Sequence, residues 1–302
     1  MLSTLVALAN SLLMIGMPVL LGIWLARRLK VEWRVYGLGM VTFVASQVLH
    51  IPFNQWLLSP VMQRLGLEPA AGNAALALVA VLLGLSAGVF EESARLLMLR
   101  GPLREARSWS EGLMFGAGHG AIEAILLGLL SLNAYVQLVA LRNVDLATVL
   151  DPARVEGVSA ALTTYWSLPW YQHLIPALER AFALGLHVGL SILVLQAFVR
   201  RNYLWFVLAV LWHAAVDALG VFALSTWGVY VTEALIGVAA LVSAALVLRL
   251  RPGEESLPAA AAVDSPPLPP RAPAPAAMDA SRQPNLDLDP ETLERSRYQS
   301  GS

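Results

Sequence analysis

Glu91 and Glu92 stand side by side, with Arg95 four and three residues further on, inside an apolar stretch that reads ALALVAVLLGLSAGVFEESARLLMLR. A charged side chain at the centre of a bilayer costs a few kcal/mol or more, so these groups need compensation. Arg95 can partner either carboxylate from the same helix, because residues three or four apart share a face. His119 with Glu123, and His213 with Asp217, repeat the four-residue spacing. His187 is a third imidazole in an apolar setting, LGLHVGLSI. A buried carboxylate beside another can accept a proton from water near neutral pH. Imidazoles opposite can bind a metal, orient that water or stabilise an oxyanion. Water activated between membrane helices points to hydrolysis of a membrane-embedded bond, a peptide bond above all.

The elements that must position these groups are transmembrane helices. The chain is 302 residues long, 57% hydrophobic and only 14% charged, against about 25% charge in a soluble domain. Its mean hydropathy is +0.64. Apolar runs long enough to span a bilayer as helices fall at about 4–25, 35–57, 74–99, 110–134, 177–199, 203–224 and 228–250. The expected fold is therefore all-α, a multi-pass bundle of about seven spans in the cell (inner or plasma) membrane. The first run has no basic segment before it and is followed by ARRLKVEWR, which reads as a retained span rather than a cleaved signal peptide. Arg and Lys gather after the first, third, fifth and seventh spans, which places the N-terminus outside and the C-terminus in the cytoplasm. The transmembrane domain is expected over 1–251, and residues 252–302 as a disordered Pro/Ala-rich cytoplasmic tail holding 10 of the 18 prolines. Within the outside connection, DPARVEGVSAALTTYW reads as a short surface helix begun by Asp151 and Pro152. A net charge of −1 suggests neither nucleic acid nor an acidic surface as partner, and the absence of cysteine excludes disulfides and thiolate metal sites.

Depth brings the polar groups together. At 1.5 Å per residue, Glu91, Glu92 and His119 lie roughly 13 Å in from the cytoplasmic end, His213 about 15 Å and His187 about 19 Å. Four helices, two running inward and two outward, thus carry their costliest side chains at nearly one depth, around a wet cavity. Glycines 116, 118 and 120 beside His119 allow close helix approach.

These residues carry a family resemblance. The chain resembles the YhfC family of intramembrane metalloproteases, related to the type II CAAX prenyl endopeptidase and bacteriocin-processing (CPBP/Abi) group. The group's pattern is E-E-x-x-x-R, F-x-x-x-H and H-x-x-x-N on successive helices. Glu91-Glu92-Ser-Ala-Arg95 matches the first with one residue fewer, Phe115-Gly-Ala-Gly-His119 the second fully, and His213-Ala-Ala-Val-Asp217 the third with aspartate for asparagine. QVLHIPFN (47–54), GHGAIEA (118–124) and ER followed by HVGLS (179–191) are also YhfC-like, so the protease-like core spans about 35–225.

The resemblance implies an intramembrane endopeptidase of metallo- or glutamic type acting on a membrane-associated peptide or protein. One of Glu91 and Glu92 activates water, Arg95 holds the pair, and His119 and His213 serve the site. Asp217 in the asparagine position cannot donate to an oxyanion while ionised, and instead orients His213 or ligates a cation. His119, Glu123, His187 and His213 make an N₃O set suited to zinc, though without the HExxH spacing. Two other classes compete: a proton- or ion-coupled transporter, and a non-catalytic scaffold or immunity protein. A transporter predicts repeats and broken helices, whereas no repeat is evident and the prolines are expected at span ends or in loops. Elsewhere, His50 and Asn54, roughly 22 Å from the cytoplasmic side, are expected to be structural or interfacial. His173 is expected to be solvated, Glu179–Arg180 a surface or interface pair, and Glu233 to reach the outer interface.

Overall fold

The computed structural model describes residues 2–68 and 72–251. The tail expected over 252–302 lies outside them. Among the described residues there is no strand, and seven helices are long and apolar enough to cross a membrane. In chain order the elements are α1 (Leu2–Leu29), α2 (Trp33–Phe53), a π turn (Asn54–Leu58), α3 (Ser59–Arg64), α4 (Asn73–Arg100) and α5 (Trp109–Leu141). Then come α6 (Pro152–Ser167), a 3₁₀ turn (Trp170–Leu174), α7 (Ile175–Val199), α8 (Leu204–Trp227) and α9 (Val229–Arg249). The protein is a polytopic helix bundle.

Local signals explain several boundaries. Ser108 and Glu111 form a reciprocal cap that starts α5: Ser108 Oγ accepts from the Glu111 amide (3.2 Å) and Glu111 Oε2 accepts from the Ser108 amide (2.9 Å). The expected surface helix is present as α6, with Asp151 Oδ1 accepting from the Ala153 amide at 2.9 Å and Pro152 in its first turn. Two expectations need correction. Pro18 lies inside α1 and Pro52 inside α2, rather than at span ends or in loops. Pro52 has no N–H to give the preceding turn, and the wide π turn follows directly. The second and fourth spans are also longer than expected, running to Arg64 and Leu141.

Helices α2, α4, α8, α9, α7 and α5 contact one another in a closed succession, with α1 packed outside on α5 and α7. α7 is the most enclosed: 67% of its apolar window is buried, against 39% or less for the others. Glycines set the closest approaches. A Cβ on Gly39 would lie 2.2 Å from Phe115 O, and one on Gly118 2.0 Å from Tyr36 O, so α2 and α5 touch backbone to backbone. Gly84 and Gly88 meet Ala214 O and Val210 O in the same way (2.4 and 2.7 Å), joining α4 to α8. Gly116 meets the backbone of His187 and Val188 (2.8 and 2.7 Å), joining α5 to α7. These notches sit within a turn of Glu91, His119, His187 and His213, and they fix the distances between the helices that carry those residues.

Candidate active site and metal-binding group

Each of the four site helices contributes side chains to one buried cluster. From α4, Glu91 and Glu92 project with Arg95, and both Glu92 and Arg95 are fully buried. Arg95 Nη1 donates to Glu92 Oε1 and Nη2 lies 3.8 Å from Glu91 Oε2, so the arginine serves both carboxylates as its spacing predicts. From α5, His119 Nε2–H donates to Glu91 Oε2 at 3.0 Å. From α8, His213 Nδ1–H donates to Glu92 Oε1 at 2.7 Å, and its Nε2 lies 3.6 Å from Asp217 Oδ2. From α7, His187 Nδ1 accepts from Arg95 Nη2 at 2.7 Å, while its Nε2–H donates to Glu123 Oε2 at 2.5 Å. Glu123 in turn accepts from Arg180 Nη1 at 2.6 Å. Ring centroids of His119 and His187 are 5.1 Å apart, and those of His187 and His213 are 6.0 Å apart.

Burial is tolerable here because the charges are paired on several sides. An isolated ion in this interior would cost several kcal/mol, whereas an ion with close partners and satisfied hydrogen bonds recovers much of that. Arg95 is the hub, bonded to Glu92 and His187 and near Glu91. Phe43 closes the cluster over His119, edge to face at 5.3 Å.

Glu91, Glu123, His187, His213 and Asp217 also line a cavity of about 590 Å³. Glu92 and His119 are absent from its wall and lie behind it. This separates the adjacent carboxylates, which the sequence could not do: Glu91 faces the cavity and Glu92 backs Arg95 and His213. Apolar residues of α7, α8 and α9, Leu186, Val216, Leu224 and Ile236 among them, form much of the remaining wall.

A family model described as "YhfC intramembrane metalloprotease" matches residues 13–242. The chain belongs to the YhfC family. It is 31% identical over 203 residues to "Uncharacterized membrane protein YhfC" of Bacillus subtilis (strain 168), covering 66% of this chain and 76% of that protein. No solved structure matches it. The match runs past the 35–225 stretch over which the motifs are spread and takes in part of every span.

The family description implies a metal, and this YhfC chain has residues that fit one. Glu91, His119 and His187 are all buried and each has a potential ligand atom within 4.8 Å of the others; His187 would have to give up its bond to Arg95 or to Glu123 to use its own. The donor set of one carboxylate and two imidazoles suits zinc. His119 adds an independent sign: with Nε2–H given to Glu91, its Nδ1 lone pair is buried and has no hydrogen-bond partner among the described residues. Of the four donors expected around zinc, His119 and His187 fall in this group, and the carboxylate beside them is Glu91. Glu123 lies one step further out, between His187 and Arg180. His213 is engaged by Glu92 and Asp217.

Several residues expected at the periphery reach the cavity. His50, Asn54, Glu179, Arg180 and Glu233 all line the cavity. The Glu179–Arg180 pair is present at 2.5 Å, with Arg180 buried and also bonded to Glu123 at 2.6 Å. His173 is buried, its ring 4.7 Å from that of Tyr165. Gln47 was not anticipated, and its Nε2 donates to Glu91 Oε1 at 3.0 Å. His50 lies on the face of α2 that packs on α4, against Ser86 and Phe90, and this puts it on the cavity wall.

Proposed function

We propose that this protein is an intramembrane endopeptidase in which Glu91 activates water for attack on a peptide bond of a membrane-associated substrate. The observation that carries the reading is the 3.0 Å contact between Glu91 and His119 beside the cavity that Glu91 lines, with Arg95 buried behind it. Zinc held by His119 and His187 beside Glu91 would polarise the scissile carbonyl and acidify the attacking water. Glu91 takes the proton that leaves the water. His213, on the cavity wall between Glu92 and Asp217, supplies the proton to the departing amine. Arg95 and Glu92 keep Glu91 and His213 in register, so that both proton transfers occur at fixed positions. The substrate segment occupies the apolar part of the cavity along α7, α8 and α9. By the distribution of Arg and Lys the N-terminus is outside, which puts the Ile175 and Val229 end of the cavity toward the outer face.

The test is cleavage of a quenched transmembrane-peptide library by detergent-purified protein, with zinc measured on the same preparations. Wild type should cleave, and Glu91→Gln and His119→Ala should not. A zinc chelator should abolish cleavage and added zinc should restore it. Chelator-resistant cleavage would leave Glu91 as a glutamic-type base without metal. Transport of an ion or solute by wild type, with no cleavage of any peptide, would refute the protease reading in favour of a carrier.

A further inference from the structure

The α2 wall of the cavity carries a polar row with a definite direction. Gln47, His50 and Asn54 are three and four residues apart and so lie on one helix face. Gln47 Nε2 donates to Glu91 Oε1 at 3.0 Å. Gln47 Oε1 lies 3.3 Å from His50 Nδ1, and His50 Nε2 lies 2.9 Å from Asn54 Nδ2. Ser86 Oγ, from α4, donates to Asn54 Oδ1 at 2.9 Å and lies 3.0 Å from His50 Nε2.

One end of this row is fixed, because an ionised carboxylate only accepts hydrogen bonds. Gln47 must therefore turn its amide nitrogen to Glu91 and its oxygen to His50. That oxygen needs a donor, so His50 carries its proton on Nδ1 and leaves Nε2 as an acceptor. Asn54 N–H then donates to Nε2. Three links thus share one direction, from Asn54 through His50 and Gln47 to Glu91, while the one Ser86 hydroxyl proton has Asn54 Oδ1, Leu83 O and His50 Nε2 all within reach (2.9, 2.9 and 3.0 Å). The surroundings hold the imidazole in its plane: Phe90 stacks on it at 5.4 Å and 25°, and Phe53 packs on Phe90 at 5.1 Å.

We propose that Asn54, His50 and Gln47 form a one-way hydrogen-bond chain that positions Glu91, and that Gln47 and His50 are positioning residues of the reaction. The chain engages Glu91 Oε1 from α2 while His119 engages Oε2 from α5. The carboxylate is thereby pinned in rotation by two helices, and its remaining lone pairs face the water. Deleting a link leaves Glu91 charged and in place but free to rotate. The assignment rests on the hydrolase reading above for its consequence in rate, and on hydrogen bonding alone for the His50 tautomer.

Two measurements on the full-length protein in detergent test it. The first is ¹⁵N NMR of histidine-labelled protein, with the His50 signal assigned by His50→Asn. Wild type should show His50 as the Nδ1–H tautomer with Nε2 bare. Gln47→Met, close in shape but unable to accept from Nδ1, should shift His50 toward the Nε2–H tautomer, whose proton can go to Ser86 Oγ. The second is peptide cleavage, in which Gln47→Met should lower kcat by about 10–100-fold, as loss of a supporting partner does, with KM little changed. An Nε2–H or doubly protonated His50 in wild type overturns the proposal. So does a wild-type kcat in Gln47→Met when Glu91→Gln is inactive. If wild type cleaves no peptide, the hydrolase reading fails, and the tautomer still decides the chain by itself.

Discussion

Replacing Gly118 by alanine should disable the protein without touching a chemical group. The added Cβ would sit 2.0 Å from Tyr36 O, where ordinary contact begins at 3.4 Å. The shortfall is 3.4 minus 2.0, or 1.4 Å, and the obstacle is backbone, so α2 and α5 must part rather than a side chain turn aside. His119 is the next residue on α5, and its bond to Glu91 is 3.0 Å long. A shift of that size takes the pair out of hydrogen-bonding range in most directions. Overpacking of this kind costs about 1–3 kcal/mol, and a misplacement of about 1 Å at a reacting group can cost on the order of 100-fold in rate. Gly37, two residues before Gly39 on α2, is the control, because a Cβ there meets nothing within 4 Å. Its alanine variant should be equal to wild type or more stable by about 0.5–1 kcal/mol. The assays are the thermal midpoint in detergent and kcat/KM on a cleaved peptide. Wild-type stability and activity in Gly118→Ala, or equal damage from Gly37→Ala, would refute the idea that glycine contacts set the site geometry.

Three other outcomes follow from the cluster. Arg95→Leu removes the arginine bonded to Glu92 and leaves the carboxylate buried without it; a loss of about 3–5 kcal/mol should appear as low abundance in membranes, and Glu92→Gln in the same chain should recover part of it. Glu123→Ala frees the Nε2 side of His187, and zinc affinity measured by chelator competition should fall by about 10–100-fold with the fold intact. Asp217 is 3.6 Å from His213 with its side chain 42% exposed, so Asp217→Asn should lower kcat by less than Glu91→Gln does, and an inactive Asp217→Asn protein would make Asp217 a central group instead of a supporting one.

The bundle and the membership of its polar cluster were legible in the chain itself. Lengths of apolar sequence give the spans because in lipid the backbone must satisfy itself as helix. The i, i+3 and i, i+4 spacings placed Arg95 against both glutamates and His213 near Asp217, since a helix face is a local property. Common depth along separate helices then implied one cluster, and His119, His187 and His213 do meet. What local periodicity cannot give is the rotation of each helix about its axis. That rotation sends Glu91 to the cavity and Glu92 behind it, and sets Glu91 beside His119 and His187. The rotation of α2 likewise sets Gln47 on Glu91 and His50 and Asn54 on the cavity wall, although their spacing of three and four was visible. Arg180 shows the same division: the sequence supplied a charge near a helix end, and only the packing of α5 against α7 turned it inward onto Glu123. Helix formation and insertion are set by short-range chemistry, but the partner of each buried charge is chosen by how glycine-notched surfaces fit together.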